Sequence, residues 1–90
     1  MRVRDAIERN LAEALSPIRL EIEDESHRHA GHAGARPEGE SHFRLTVVAA
    51  AFQGKTRVER QRMVYAALGE LMESDIHALS LATLAPDEDK

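Results

Sequence analysis

Histidines are the side chains of this 90-residue sequence best suited to binding a metal ion. Four of the five lie within sixteen residues, at His27, His29, His32 and His42. Neutral imidazoles can gather Zn²⁺, Cu²⁺ or Ni²⁺, but loop histidines without a fixed spacing or a rigid scaffold rarely form a closed site. Two interpretations therefore stay open for this cluster, a metal site formed by the four histidines and a solvated loop.

The fifth histidine, His77, has a different setting because it opens a predicted strand. It shares its parity with Leu79 and Leu81, and alternate residues of a strand lie on the same face of the sheet. From the residues alone, the ordinary interpretation is a partly buried histidine that is hydrogen-bonded to a backbone carbonyl. The alternative is a functional imidazole held by the scaffold.

A basic cluster forms the second group of candidate residues. Its members are Lys55, Arg57, Arg60 and Arg62, set against the single Glu59 in a chain whose net charge is −4. Such side chains can contact phosphates or the carboxylates of a partner protein. The alternative is a solvated helix face whose charges are absorbed by ion pairs to Glu59 or to the acidic first strand.

The composition excludes several classes of chemistry. The chain has no cysteine, which rules out disulfides, thiolate nucleophiles and any zinc or iron–sulfur site built from its own sulfurs. Ser26, Ser41 and Ser74 have no evident base, and no Gly-rich phosphate loop is present. The sequence is therefore predicted to be non-enzymatic. The net negative charge also argues against indiscriminate binding to nucleic acid.

Size and hydropathy predict one small domain over residues 1–90. With three aromatic residues in the chain, the core must be modest and aliphatic. The sequence has no apolar run of membrane-spanning length and no leader segment, which predicts a soluble cytoplasmic protein without a membrane partner. It is expected to be a monomer when alone.

Hydrophobic periodicity predicts the elements that position these residues. A four-residue apolar repeat predicts a helix over residues 3–15 that ends before Pro17, and alternation around Leu20 and Ile22 predicts a strand with one wet face. Residues 27–41 lose the periodicity and are predicted to be a long variable loop. His42 then leads into a second, central strand.

The second strand is predicted to continue through three alanines to Phe52, and a helix follows after a short break. Gly54 lies in that break, where a residue that tolerates positive φ lets the backbone reverse. Thr56 and Glu59 have the spacing of a capping box. The apolar stripe beyond them predicts a helix running to about Glu73.

A third strand around Leu79 and Leu81, ending near Leu84, and an acidic tail over residues 86–90 complete the domain. The two strands that flank the loop can pair antiparallel, whereas a helix separates the second strand from the third and predicts a parallel pair. The predicted fold class is α+β, a three-stranded mixed sheet covered by helices on one face. The predicted core includes Ile7, Leu11, Leu15, Leu20, Ile22, Leu45, Val47, Val64, Leu68, Leu71, Leu79 and Leu81.

Four segments together resemble the BolA family, and the resemblance spans nearly the whole chain. They read LEIEDESHRHAGHAG, SHFRLTVVAAAF, FQGKTRVERQRMVY and IHALSLATLAP. The resemblance implies an αββααβ fold similar to the type II KH domain. Two features depart from the family: its Arg-His-Arg helix motif reads Arg60-Gln61-Arg62 here, and residues 30–40 make the loop longer than the family minimum.

The resemblance also implies a function and its residues. The near-invariant family histidine stands before the last strand, in a context that matches Ile76-His77-Ala78-Leu79. A histidine or cysteine of the variable loop is the second ligand, and His29 holds that position here, with His32 as its near substitute. The implied role is an adaptor for a CGFS-type monothiol glutaredoxin in iron regulation or iron–sulfur cluster trafficking.

In the implied complex the two proteins are expected to share a bridging [2Fe–2S] cluster, and this chain is expected to bind no cofactor when alone. A glutaredoxin cysteine and glutathione would hold one iron, while His77 with His29, or with His32, would hold the other. Because the family also contains regulators that act on stress and morphology genes, the alternative function is weak nucleic-acid binding through the basic cluster.

Overall fold

The computed structural model describes residues 2–25 and 42–89. The helices are α1 (Arg2–Leu15), α2 (Arg57–Leu68) and α3 (Leu71–Ser74), and the strands are β1 (Arg19–Asp24), β2 (His42–Val48) and β3 (Ala78–Leu84). Short 3-10 turns span Ala50–Phe52 and Pro86–Glu88. Across these two ranges, every helix is too short or too polar to cross a bilayer.

The three strands form one mixed sheet in the order β1-β2-β3. β1 and β2 are antiparallel, with Ile22 opposite Leu45, and β2 and β3 are parallel, with Leu45 opposite Leu81. Side chains alternate between the two faces, so that Phe43 and Leu45 of β2 are buried while Arg44 between them is exposed. The predicted α+β class and the mixed sheet are confirmed.

The helices α1 and α2 cover one face of this sheet and form a single core with it. Leu45 and Val64 lie in that core with no exposed surface, and Leu81 packs against it. The predicted residues that are only partly buried around the core are Leu20, Ile22, Leu71, Leu79 and Leu81. The core also includes Phe43 and Phe52, which the sequence analysis did not assign to it.

The predicted end of the second helix, near Glu73, is wrong. α2 ends at Leu68, where Gly69 adopts a φ of 55° and its N–H donates to the carbonyl of Tyr65 at 3.0 Å. A positive φ costs glycine little and breaks the helical path. The chain therefore resumes as the separate short helix α3.

The second strand is also shorter than predicted, because β2 ends at Val48. The turn over Ala50–Phe52 follows it and carries the Phe52 ring into the core. Gly54 then has a φ of 76°, as the reversal of the backbone requires. The capping box is confirmed: the Glu59 N–H donates to Thr56 Oγ1 at 3.1 Å, and the Thr56 N–H donates to Glu59 Oε1 at 2.8 Å.

Two arginine–carboxylate pairs hold the C-terminal segment against the domain. The Arg19 guanidinium donates to both carboxylate oxygens of Asp89, at 2.9 and 2.7 Å. Arg60 NH1 donates to Glu88 Oε1 at 2.6 Å. Bidentate arginine–carboxylate pairs fix the geometry of the two groups as well as pairing their charges. The C-terminal segment is therefore attached to β1 through Asp89 and to α2 through Glu88.

These pairs predict a loss of stability in acid. The hydrogen bond from Arg60 lowers the pKa of Glu88, and that from Arg19 lowers the pKa of Asp89. A carboxylate whose pKa is lower in the folded state stabilises the fold above its unfolded pKa, and this contribution disappears as the pH falls through the folded pKa.

We therefore expect Asp89→Asn to lower the urea midpoint at pH 7 and to have progressively less effect below about pH 4. Urea titrations of both proteins between pH 7 and pH 2.5 measure this. The matched control is Asp87→Asn, at an exposed position, which should leave the midpoint unchanged throughout. A difference between Asp89→Asn and the wild type that persists unchanged into acid would exclude the ion pair as its cause.

Candidate functional site

His77 is an exposed side chain at a position fixed by the scaffold. It lies directly before β3, between the buried Ile76 and the exposed Ala78. The N–H of Ile76 donates to the carbonyl of Leu71 at 2.9 Å, which ties this segment to α3. Because His77 is two residues before Leu79, the sequence predicted that its ring would be partly buried on the same face of the strand. The strand begins only at Ala78, so the alternation of buried and exposed side chains does not extend back to His77.

The structure places His42 beside His77. His42 is the first residue of β2 and stands opposite Ala78 in the parallel register. The two imidazole rings lie 6.2 Å apart between centroids, with 19° between their planes. Sequence reasoning grouped His42 with the loop histidines. The predicted parallel pairing of the second and third strands was the signal that could have linked it to His77.

The predicted loop ligands His29 and His32 lie outside the described residues, as does His27. The residues that flank this segment, Glu25 and His42, are described, and they contact each other next to His77. The Glu25 N–H donates to the carbonyl of His42 at 2.7 Å. Within residues 2–25 and 42–89, no group of three or more histidine, aspartate or glutamate side chains is placed to hold a metal ion.

The structure divides the predicted basic cluster into two parts. Lys55, Arg57 and Arg62 are exposed. The Arg60 side chain has only 11% of its surface exposed and donates to the carbonyls of Lys55, at 3.0 Å, and Thr83, at 3.1 Å, besides pairing with Glu88. Its guanidinium also lies 6.0 Å from the centroid of the Phe52 ring.

Arg60 therefore connects α2, β3 and the C-terminal segment. The sequence analysis considered ion pairs to Glu59 or to the first strand, whereas the partner of Arg60 is Glu88. The part of the cluster that faces solvent is Lys55, Arg57 and Arg62, and we call these three residues the basic face. Lys55 precedes α2, Arg57 is its first residue and Arg62 lies in its second turn. The backbone N–H groups at the start of the helix add to the positive potential there.

The fold and site together define a small α+β domain that presents a histidine pair at one end of a mixed sheet and a basic face at the start of α2. A family model described as BolA-like protein matches residues 11–88. The chain belongs to the BolA family.

Individual relatives support this assignment. The chain is 44% identical over 92 residues to SufE-like protein 1, chloroplastic/mitochondrial, of Arabidopsis thaliana, which covers 98% of this chain and 24% of that protein. It is 41% identical over 83 residues to the DNA-binding transcriptional regulator BolA of Escherichia coli (strain K12), covering 92% of this chain and 75% of the relative. The chain thus spans about a quarter of the first relative, and it spans half of another plant relative.

A solved structure shares the fold over the whole domain. BolA1 from Arabidopsis thaliana superimposes with a TM-score of 0.84 at 33% identity, and the alignment covers 98% of this chain and 96% of that one. The names of the relatives describe regulators, BolA-like proteins and a SufE-like protein.

The donor set of the described residues fits part of an iron–sulfur cluster. A [2Fe–2S] cluster ordinarily takes four protein or thiol ligands, and two histidines on one iron are an established arrangement. This chain offers imidazoles and no thiolate. It could supply the histidine ligands of such a cluster, and the sulfur ligands would then have to come from another molecule.

Proposed function

We propose that this protein is a non-enzymatic adaptor that binds a CGFS-type monothiol glutaredoxin and co-ligates a bridging [2Fe–2S] cluster, in iron regulation or cluster trafficking. The observation that carries the proposal is the exposed imidazole of His77, anchored by the buried Ile76, in a chain without cysteine. Membership of the BolA family supports it, and so does similarity to a relative named SufE-like protein 1.

The ligands divide between the partners according to their chemistry. A glutaredoxin cysteine and a bound glutathione supply the two sulfurs for one iron, and His77 supplies an imidazole to the other. His29, or His32 if the longer loop shifts the register, completes the pair. The cluster, when bound, supplies one-electron redox chemistry and iron–sulfur cargo, and histidine ligation raises its reduction potential.

The residues of this chain bind and orient the partner. The backbone of His77 is held between the buried Ile76 and the first residue of β3, so little conformational entropy is lost when His77 binds a metal. The basic face, Lys55, Arg57 and Arg62, can steer an acidic partner surface, which changes the association rate more than the affinity. Arg60 is held by Glu88 and Thr83 and is assigned a structural role.

Native mass spectrometry of a mixture with cluster-loaded monothiol glutaredoxin tests the adaptor role. We expect a one-to-one complex that retains two irons, two sulfides and glutathione, because one glutaredoxin chain with its glutathione supplies two of the four ligands and this chain supplies the other two. The control mixture contains glutaredoxin without its cluster. A mixture that yields only the glutaredoxin homodimer and the free chain would refute the proposal.

A second candidate function is weak binding to nucleic acid, and two observations favour it. The Escherichia coli relative is named a DNA-binding transcriptional regulator, and the basic face is exposed at the start of α2, where a phosphate can meet backbone N–H groups. A KH domain grips the backbone through a Gly-x-x-Gly loop, and this chain has only Gly54 in that region. We therefore infer few contacts.

Fluorescence anisotropy with duplex DNA at several salt concentrations tests this candidate. Each lost phosphate contact reduces the slope of log affinity against log salt by about 0.9, so Arg57→Ala with Arg62→Ala should reduce it by about two units. The matched control is Arg9→Ala, an exposed arginine on α1. An affinity and a slope unchanged in the double variant would exclude the basic face as the reader.

A further inference from the structure

We propose that His42 and His77 form a two-imidazole binding site for a late first-row divalent ion, Zn²⁺, Ni²⁺ or Cu²⁺, on the isolated protein. The pair differs from the predicted loop ligands His29 and His32, because His42 is the first residue of β2 and His77 lies directly before β3. The site needs neither a glutaredoxin nor a cluster. It is therefore independent of the proposed function.

The separation of the rings is close to what one ion requires. With metal–nitrogen distances of about 2.0–2.1 Å, two imidazoles on one tetrahedral ion have their centroids roughly 5 Å apart. The observed centroid separation is 6.2 Å. Because the rings are nearly parallel, with 19° between their planes, both side chains have to turn about their torsions for one nitrogen of each ring to face a common ion.

The backbone at both positions is already ordered by the fold. His42 accepts at its carbonyl from the Glu25 N–H and opens a strand paired on both sides. His77 follows the buried Ile76. Binding an ion here therefore orders only two side chains, whereas a site on a loop also has to order its backbone at about 1–2 kcal/mol per residue.

The charges beside His42 favour a cation. The β1 residues on the same sheet face include Glu21 and Glu23, both exposed. Glu25 follows them and forms an ion pair with Arg44 at 3.3 Å. Arg19 lies on the same face and pairs with Glu21. The three carboxylates therefore exceed the two guanidinium groups, of Arg19 and Arg44, by one negative charge, which weakly favours a cation at this face of the sheet.

Neutral imidazole suits these ions, and affinity rises toward Cu²⁺ along the first row. Solvent water completes the coordination, because the described residues place no third histidine or carboxylate ligand at the pair. Since one imidazole nitrogen binds one metal, such an ion also competes with a cluster for His77. This last consequence, unlike the site itself, rests on the proposed function.

Titration of the full chain with Zn²⁺ and with Cu²⁺ at pH 7.5, by calorimetry and by NMR of the imidazole resonances, tests the site. We expect one ion per chain, with joint shifts of the His42 and His77 ring resonances on adding Zn²⁺ and joint broadening of the same resonances on adding paramagnetic Cu²⁺. His42→Ala and His77→Ala should each weaken binding by more than about tenfold, since even outer-shell changes typically cost 10–100-fold in metal affinity. The triple variant His27→Ala, His29→Ala, His32→Ala should retain binding.

His42→Gln and His77→Gln repeat the test with side chains of similar size, and far-ultraviolet circular dichroism checks that each variant is folded. The opposite pattern, binding lost in the triple variant and retained in His42→Ala, would overturn the proposal in favour of a loop site. Absence of one-to-one binding by the wild type would overturn it as well. Either failure leaves complex formation with glutaredoxin to be judged by its own experiment.

Discussion

His77→Ala is expected to abolish the histidine-ligated spectrum of the complex with monothiol glutaredoxin. His77 is the predicted cluster ligand that lies within the described residues, exposed beside the buried Ile76. Because the chain has no cysteine, no thiolate of its own can replace this imidazole. His29→Ala should weaken the spectrum only partly, because His32 lies three residues further along the chain and is the predicted substitute. The measurement is visible circular dichroism at equal cluster concentration.

The matched control for this prediction is His27→Ala, which removes an imidazole that is not among the predicted ligands. It should leave the spectrum and the stoichiometry of the complex as in the wild type. A spectrum untouched by His77→Ala would remove this residue from the ligand set. Equal losses in the His77→Ala and His27→Ala variants would indicate a general effect of histidine content.

Leu45→Ala is expected to have the largest effect on stability, about 2–5 kcal/mol. Leu45 has no exposed surface and lies in the middle of the central strand, opposite Ile22 on one side and Leu81 on the other. Truncation removes buried apolar surface and leaves a cavity between the sheet and the helices. Such a loss is a large fraction of the free energy of unfolding of a typical domain, which is about 5–15 kcal/mol.

Urea denaturation measures this effect as a lower midpoint with an unchanged slope. The matched control is Val58→Ala on α2, where the side chain is 54% exposed. Surface substitutions usually change stability by less than about 0.5 kcal/mol. A loss below about 1 kcal/mol for Leu45→Ala would contradict the single core that joins the sheet to both helices.

Local sequence patterns were sufficient to predict the topology. Alternation around Leu20 and Ile22 identified β1 because strand side chains alternate over neighbouring residues. Thr56 and Glu59 identified the start of α2 because a capping box is complete within four residues. The parallel pairing followed from the helix between two strands. Each of these signals depends on residues close together in the chain.

The ion pairs that the sequence analysis missed depend on distant residues. Arg60 lies 28 positions from Glu88, and Arg19 lies 70 positions from Asp89, so no local pattern indicated either pair. The end of α2 was missed because Gly69 is tolerated within helical patterns and stops a helix only in some contexts.

The candidate site likewise combines features that local sequence patterns indicate with features that depend on residues distant in the chain. His77 was singled out from its sequence context, but its neighbour His42 was assigned to the loop cluster because four histidines lie close together in the chain. The β2–β3 register, which sets His42 opposite Ala78, depends on the whole sheet. The solvent-facing part of the basic cluster could likewise be separated from Arg60 only when the position of Glu88 was known.

The most direct test of the central claim is to mix the purified chain with cluster-loaded monothiol glutaredoxin and glutathione, and to record visible circular dichroism followed by electron paramagnetic resonance after reduction. Histidine ligation of one iron should give a circular dichroism spectrum and g-values distinct from those of the glutaredoxin homodimer, together with a higher reduction potential. Spectra indistinguishable from those of the homodimer at saturating concentrations of this chain would contradict the claim.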